Sequence, residues 1–243
     1  MVNYNSSNYI NILQDKGTYR YERKFLVPNL SKQDTITIIK QHPAFFLEVY
    51  KPRQICNIYF DTPSFKYYFD NKNGFAERKK VRIRWYGYTK GQITDPMLEV
   101  KYKTGIIVNK RLFPIESFII DNSFDLDLLK KIISKSKLPI YIREFLEDLR
   151  PTLLNSYQRT YFQTIDKKYR LTLDSDLVYS NISMSQNAFH HQYLNPIQVI
   201  LEIKYNLDED ENVNNITNWF HFRLDKNSKY AKGIDLIFNY LAV

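Results

Sequence analysis

In the stretch "VRIRW" (81–85), two arginines stand two residues apart, with Val81, Ile83 and Trp85 in the alternate frame. An extended strand turns successive side chains to opposite faces, so Arg82 and Arg84 point one way and the apolar residues the other. The same rule returns along the chain. In "YRYERKF" (19–25), Arg20, Glu22 and Lys24 oppose Tyr19, Tyr21 and Phe25, with Arg23 the exception. In "LEVKYK", Glu99, Lys101 and Lys103 oppose Leu98, Val100 and Tyr102; in "YQRTY", Arg159 lies with Tyr157 and Tyr161. "RLTLD" sets Arg170, Thr172 and Asp174 against Leu171 and Leu173, and "LEIKY" sets Glu202 and Lys204 against Leu201, Ile203 and Tyr205. Such a chain must build a sheet with one apolar face and one densely charged face.

Further strand signals are "ICNIYFD", "IIVNKRLFPI" and the rest of the segments just named, bounded by turn residues such as Asn73-Gly74, Gly91 and Asp95-Pro96. Short connections make antiparallel pairing the expectation. Helical periodicity falls at 31–42, 125–150, 213–224 and 233–243. The 20 Tyr and 16 Phe against only 6 Gly favour a strand-rich amphipathic fold over disorder. The expected fold class is therefore α+β, an antiparallel sheet with peripheral helices. With 243 residues and no Pro/Gly/Ser-rich linker or internal repeat, the chain reads as one domain over 1–243, residues 1–18 being flexible or peripheral.

The charged face has two readings. It can be the solvated side of a sheet, as in many antiparallel proteins. Alternatively the sheet closes into a barrel with its charges inside. Burying that many like charges costs several kcal/mol per ion unless counter-charges are supplied, so a closed barrel of this kind demands a polyanion. Lys plus Arg total 35 against 26 acids, a formal charge of +9, which also points to an anionic partner. A linear polyphosphate or a nucleoside triphosphate suits the residue types: arginine forks grip phosphate oxygens, lysines add point charges, and carboxylates hold a divalent metal. Nucleic acid is not expected, because the basic residues alternate with apolar ones inside strands and no recognition helix is evident.

Other candidates carry less. Cys56 stands alone and reads as a buried apolar thiol. His42, His190, His191 and His221 do not assemble a metal site. The segment "YFDT" (59–62) reads as a turn, with Tyr67 and Tyr68 candidates to face a base or ribose. The first residues have neither a basic n-region nor an apolar h-region, and no run of about 18 apolar residues occurs, so a cytoplasmic protein is expected.

Taken in order, "YERKF", "IYFDTPSFKYY", "VRIRWYG", "LEVKYKTG" followed by "VNKR", "YQRTYF", "RLTLDSDL", "LEIKY" and "NSKYAKG" resemble the VTC-type polyphosphate polymerase domain. That domain is a member of the triphosphate tunnel metalloenzyme, or CYTH-like, superfamily. The resemblance runs from about Tyr19 to Gly233 and implies an antiparallel β-barrel, the triphosphate tunnel, whose inner face binds the triphosphate of ATP or the product chain. It matches Lys24, Arg82, Arg84, Lys101, Lys110, Arg159 and Arg170 to phosphate binders, and Glu202 to the carboxylate that holds Mn2+ or Mg2+. It places Ser228 and Lys229 near the reacting phosphate as catalytic residues. Glu22, Glu99, Lys103, Lys204 and Arg20 are further candidates.

One departure bears on the chemistry. Hydrolytic tunnel enzymes open with Glu-x-Glu-x-Lys, whereas here the first position is Arg20. A carboxylate is replaced by a cation, which favours a one-metal site that retains phosphate chains. The resemblance therefore implies a cytoplasmic phosphotransferase that moves the γ-phosphate of ATP to a growing polyphosphate chain, with any membrane partner a separate protein. A triphosphatase, or a non-catalytic sensor of polyphosphate or inositol phosphate, is the alternative.

Overall fold

A computed structural model describes residues 20–27, 29–105, 107–182, 192–195 and 199–238. Its strands are β1 (Arg20–Val27), β2 (Phe46–Asp61), β3 (Glu77–Tyr86), β4 (Gly91–Ile93), β5 (Met97–Thr104), β6 (Ile107–Pro114), β7 (Phe118–Ile120), β8 (Arg150–Thr164), β9 (Arg170–Asn181), β10 (Gln192–Asn195), β11 (Val199–Asn206) and β12 (Arg223–Leu224). The α-helices are α1 (Lys32–Lys40), α2 (Lys66–Lys72), α3 (Leu126–Lys135), α4 (Ile140–Glu147), α5 (Val213–Thr217) and α6 (Lys229–Ile237). The architecture is α+β, as the alternation predicts.

Ten strands form one sheet in the order β12-β1-β11-β9-β8-β2-β3-β5-β6, with β10 added to β9, while β4 and β7 pair separately. Every pairing is antiparallel. The expected closed barrel is corrected here: among the described residues the hydrogen-bonded path does not return from β6 to β1. The reason is local, since β12 takes the outer edge of β1 at Phe25 and Leu26. The sheet nevertheless curls, because Lys101 on β5 lies within electrostatic reach of Glu22 and Lys24 on β1, strands that never pair.

Apolar residues sort by face. Outside, Ile58, Val81, Ile83, Trp85, Leu98 and Val100 pack with Leu129, Ile132 and Ile142 of α3 and α4. Phe25, Leu171, Leu201 and Ile203 pack with Ile39 of α1 and Val213 of α5. A third cluster, including Tyr59, Leu153, Tyr157 and Tyr179, shares its face with the charged residues and is covered by Tyr230 and Ile234 of α6. So five helices lie peripherally or beside the sheet, and α6 plugs part of the inner face.

Local signals fix the helix starts. Ser31 and Asp34 form a reciprocal capping box at α1, with Asp34 N–H donating to Ser31 Oγ at 3.1 Å and Ser31 N–H to Asp34 Oδ2 at 3.2 Å. The helix expected over 213–224 is shorter, ending at Thr217, and Arg223 and Leu224 instead form β12. The helix expected over 233–243 begins earlier, at Lys229, because Ser228 caps it; residues 239–243 lie outside the described set. Helix α2 is an addition to the expected elements. Residues 1–19 also lie outside the described set. No helix among the described residues is long and apolar enough to cross a membrane.

Candidate functional site

Strand β3 carries Lys80, Arg82 and Arg84 at every second position, so one face of one strand presents three cations in a row. Arg82 stands opposite Glu99 in the β3–β5 register. Its Nε donates to Glu99 Oε2 at 2.7 Å, and its second terminal nitrogen reaches the same oxygen at 2.5 Å. Arg84 and Lys110 reach Glu99 Oε1 at 3.5 and 2.8 Å. Burial alone would raise the Glu99 pKa, yet these three cations overcome it and hold the carboxyl at about 2. Neutral oxygens take further arginine donors: Arg82 donates to Tyr59 Oη at 3.3 Å, and Arg84 to Asn57 Oδ1 at 2.9 Å and Tyr157 Oη at 3.2 Å.

A second node forms where α6 meets the sheet. Asp174 on β9 is fully buried and accepts a fork from Arg159, Nε to Oδ1 at 2.5 Å and a terminal nitrogen to Oδ2 at 2.7 Å. Lys229 Nζ lies 2.5 Å from Asp174 Oδ2 and 4.7 Å from the centre of the Tyr157 ring. Against burial, Arg159 and Lys229 lower the Asp174 pKa, so this carboxylate is ionised. The helix can approach closely because of Gly233: a Cβ there would meet Leu153 and Tyr179 carbons at 2.5 and 2.7 Å. Ser228, the cap of α6, accepts a hydrogen bond from Lys80 Nζ at 3.1 Å and thereby links helix to β3.

A third node joins β1 and β11, where Lys24 stands opposite Glu202 and Glu22 opposite Lys204. Lys24 Nζ lies 2.6 Å from Glu22 and 3.6 Å from Glu202, and Lys204 lies 2.5 Å from Glu202. Burial opposes ionisation of Glu202, but Lys204, Lys24, Arg159 and Lys229 outweigh it and hold the carboxyl well below its ordinary range.

The balance of charge at these nodes is uneven. Lys24, Lys80, Arg82, Arg84, Lys101, Lys110, Arg159, Lys204 and Lys229 face Glu22, Glu99, Asp174 and Glu202. Among the described residues no ion pair reaches Lys80 or Lys101. Burial, then Lys24, Lys101 and Arg82, push the Lys80 ammonium well below its ordinary 10.5. Burial likewise lowers Lys101.

The structure thus brings together Glu22, Lys24, Arg82, Arg84, Glu99, Lys101, Lys110, Arg159, Glu202, Lys204, Ser228 and Lys229. Lys103 stands opposite Arg78 at the far end of β5, and Arg170 is exposed at the start of β9, opposite Lys204. Arg20 opens β1 opposite Asn206, and its side chain lies outside the described set. Three members were missed by sequence reasoning. Lys80 was legible as the next step of the Arg82, Arg84 alternation; Asp174 shared a face with Arg170; Asn57 gave no signal, because an uncharged amide does not stand out. Tyr67 and Tyr68 are both buried, and Tyr68 Oη donates to Asp235 at 2.5 Å. Asp61 accepts from the Thr62, Tyr67 and Tyr68 amides at 2.7, 2.9 and 2.9 Å, the role of a turn and helix cap.

Two carboxylates suit a hard divalent cation. Glu22 and Glu202 are diagonal neighbours on the charged face, both ionised, and magnesium or manganese is held in many sites by one or two carboxylates with phosphate and water oxygens completing the shell. Among the described residues no group of three or more His, Cys, Asp or Glu could hold a metal. Glu99 is less suited, since three cations already occupy it.

The fold is shared with solved structures of low sequence identity. A Vibrio parahaemolyticus protein described as an adenylate cyclase candidate aligns with TM-score 0.50 and 13% identity over 90% of this chain and 99% of that one. A similar candidate from Bacillus halodurans aligns at TM-score 0.48 and 15% identity over 90% and 99%. A Hippeastrum protein described as an adenylyl cyclase candidate with dominant triphosphatase activity aligns at 0.45 and 15% over 86% and 92%. Comparison with curated proteins gives no match. The VTC domain model matches residues 19–238, and the chain belongs to the VTC domain family.

Proposed function

We propose that the chain is a metal-dependent polyphosphate polymerase that transfers the γ-phosphate of ATP to the end of a polyphosphate chain. The observation that carries this reading is the excess of cations over carboxylates on the charged face, where no ion pair reaches Lys80 or Lys101 among the described residues. A polyanion threaded along the face would supply the counter-charge that the protein lacks.

Phosphoryl transfer asks the protein for position and charge neutralisation more than for covalent chemistry. Arg82, Arg84 and Arg159 would grip phosphate oxygens, with Lys24, Lys101 and Lys110 adding charge and Arg170 doing so only from the exposed start of β9. Lys229 and Ser228, beside Lys80, would hold the reacting phosphate. A terminal oxygen of the polyphosphate attacks the γ-phosphorus, the bond to the β,γ-bridging oxygen breaks, and ADP leaves with that electron pair. Glu22 and Glu202 would hold the divalent ion, which supplies charge neutralisation on the phosphate oxygens.

Transfer is favoured over hydrolysis by the state of the acids. Glu22, Glu99, Asp174 and Glu202 are all ion-paired with lowered pKa, and a carboxylate so stabilised is a weak general base for water. ATP as donor fits work in the cytoplasm.

The test is incubation of purified protein with ATP and manganese, resolving products on a polyphosphate-staining gel while free phosphate is assayed in the same tube. A ladder of chains, lost in Lys229→Ala and Glu202→Ala, is expected. Free phosphate without a ladder moves the assignment to a triphosphatase. Tight polyphosphate binding with neither product leaves a sensor.

A further inference from the structure

The charged face ends in an aromatic cluster. On β3 the alternation that presents Lys80, Arg82 and Arg84 continues to Tyr86, about 7 Å beyond Arg84 along the strand. On β8 Tyr161 follows Arg159 by two residues on the same face. Between them sits Arg53 of β2, with its guanidinium 5.5, 5.6 and 5.8 Å from the ring centres of Tyr50, Tyr86 and Tyr161. Tyr50 and Tyr161 also meet edge to face at 5.7 Å.

This arrangement needs a special backbone. Residues three apart on a regular strand point to opposite faces, so Tyr50 and Arg53 should not meet. They do because the β2–β8 register shifts between Glu48 and Tyr50 and again between Tyr50 and Arg53, each step adding one residue to β2. Pro52, which cannot donate to a ladder, lies in the second shift. Bulges of this kind re-aim side chains beside functional sites.

The cluster also lacks what would close it. Arg53 stands opposite Arg159, cation facing cation, and Arg159 is already held by Asp174. Among the described residues no carboxylate pairs with Arg53. Tyr50 is 58% exposed and Tyr86 53% exposed, so ring surface stays open to solvent.

We propose that Tyr50, Arg53, Tyr86 and Tyr161 form the subsite for the nucleoside of a nucleoside triphosphate. The base stacks on tyrosine rings and the Arg53 plane, and the triphosphate runs inward past Arg159 and Arg84 toward Lys80. This rests on the triphosphate reading above and adds the element that distinguishes a nucleotide from an inorganic phosphate chain. Stacking suits the role because every base has a π-face, so the subsite grips a nucleoside without selecting one base.

The test is calorimetric titration of ATP and of inorganic tripolyphosphate into the full chain, Tyr50→Leu, Tyr86→Leu and Tyr86→Trp. Both leucine variants are expected to bind ATP roughly tenfold more weakly while tripolyphosphate affinity moves less than about twofold. Tyr86→Trp, which restores a stacking face, should recover ATP binding. Equal losses for both ligands, or undiminished ATP binding in the leucine variants, would overturn the subsite. If the unsubstituted chain binds tripolyphosphate and the variants leave ATP unaffected, this inference alone fails. If it binds neither ligand, the triphosphate reading fails and the subsite with it.

Discussion

Glu99 is gripped by Arg82, Arg84 and Lys110, so its removal leaves three cations crowded without a counter-charge. Breaking a buried ion pair from one side costs about 3–5 kcal/mol, and Glu99→Gln should lower the melting temperature accordingly. The pH dependence follows from the same contact. The folded carboxyl titrates at about 2 against an ordinary 4.5, so its stabilisation is full above 4.5 and is lost as pH falls toward 2. Thermal melts over that window should show a slope that Glu99→Gln flattens; parallel slopes would contradict the assignment. Lys80 has the opposite sign. Its folded pKa is lowered, so between that value and 10.5 the unfolded chain holds the proton more readily and stability rises with pH. Lys80→Met is expected to raise the melting temperature of the ligand-free chain near neutral pH by about 2–4 °C per kcal/mol relieved and to reduce the further rise that tripolyphosphate gives. A lower melting temperature with an undiminished ligand effect would count against an uncompensated Lys80. The arginine and glutamate positions were legible because charge at every second residue is rare in an ordinary strand. Asn57 and the tyrosine hydroxyls were not, because their part depends on which strand lies beside them.

Among the elements, α6 sets the position of Lys229, and Gly233 sets the position of α6. A methyl at residue 233 would overlap Leu153 and Tyr179, two side chains packed in the core, so Gly233→Ala is expected to lift the helix. Overpacking of this kind costs about 1–3 kcal/mol. Because the lift also separates Lys229 from Asp174, activity at a temperature where the variant stays folded should fall more than stability alone predicts. Normal turnover by a folded Gly233→Ala would detach Lys229 from the chemistry. The strands were readable from period-two alternation, and α1 from its helical periodicity over 31–42. Helix α2 was not, since its N-cap Phe65 has no capping side chain, its first amides are accepted by Asp61 at the end of a strand, and its seven residues carry little periodicity. Nor were the two register shifts in β2, although Pro52 inside a strand pattern is a sign of one. The closed barrel failed as an expectation because closure depends on what occupies a sheet edge, and β12 comes from a segment whose sequence reads as helix.

At the scale of the molecule, the curl of the sheet converts charges spread over the sequence into one face with more cations than acids. That excess opposes folding of the free chain and favours whatever polyanion binds. Part of the attraction is screened by salt, with a Debye length of about 10 Å at 0.1 M, but the buried arginine forks are shielded from it. The most direct measurement is a calorimetric titration of inorganic tripolyphosphate into the full chain and into the double variant Lys80→Met, Lys101→Met. One tripolyphosphate per chain is expected, bound at least about tenfold more weakly by the double variant. Several weak equivalents per chain, or an affinity that the double variant leaves unchanged, would contradict it.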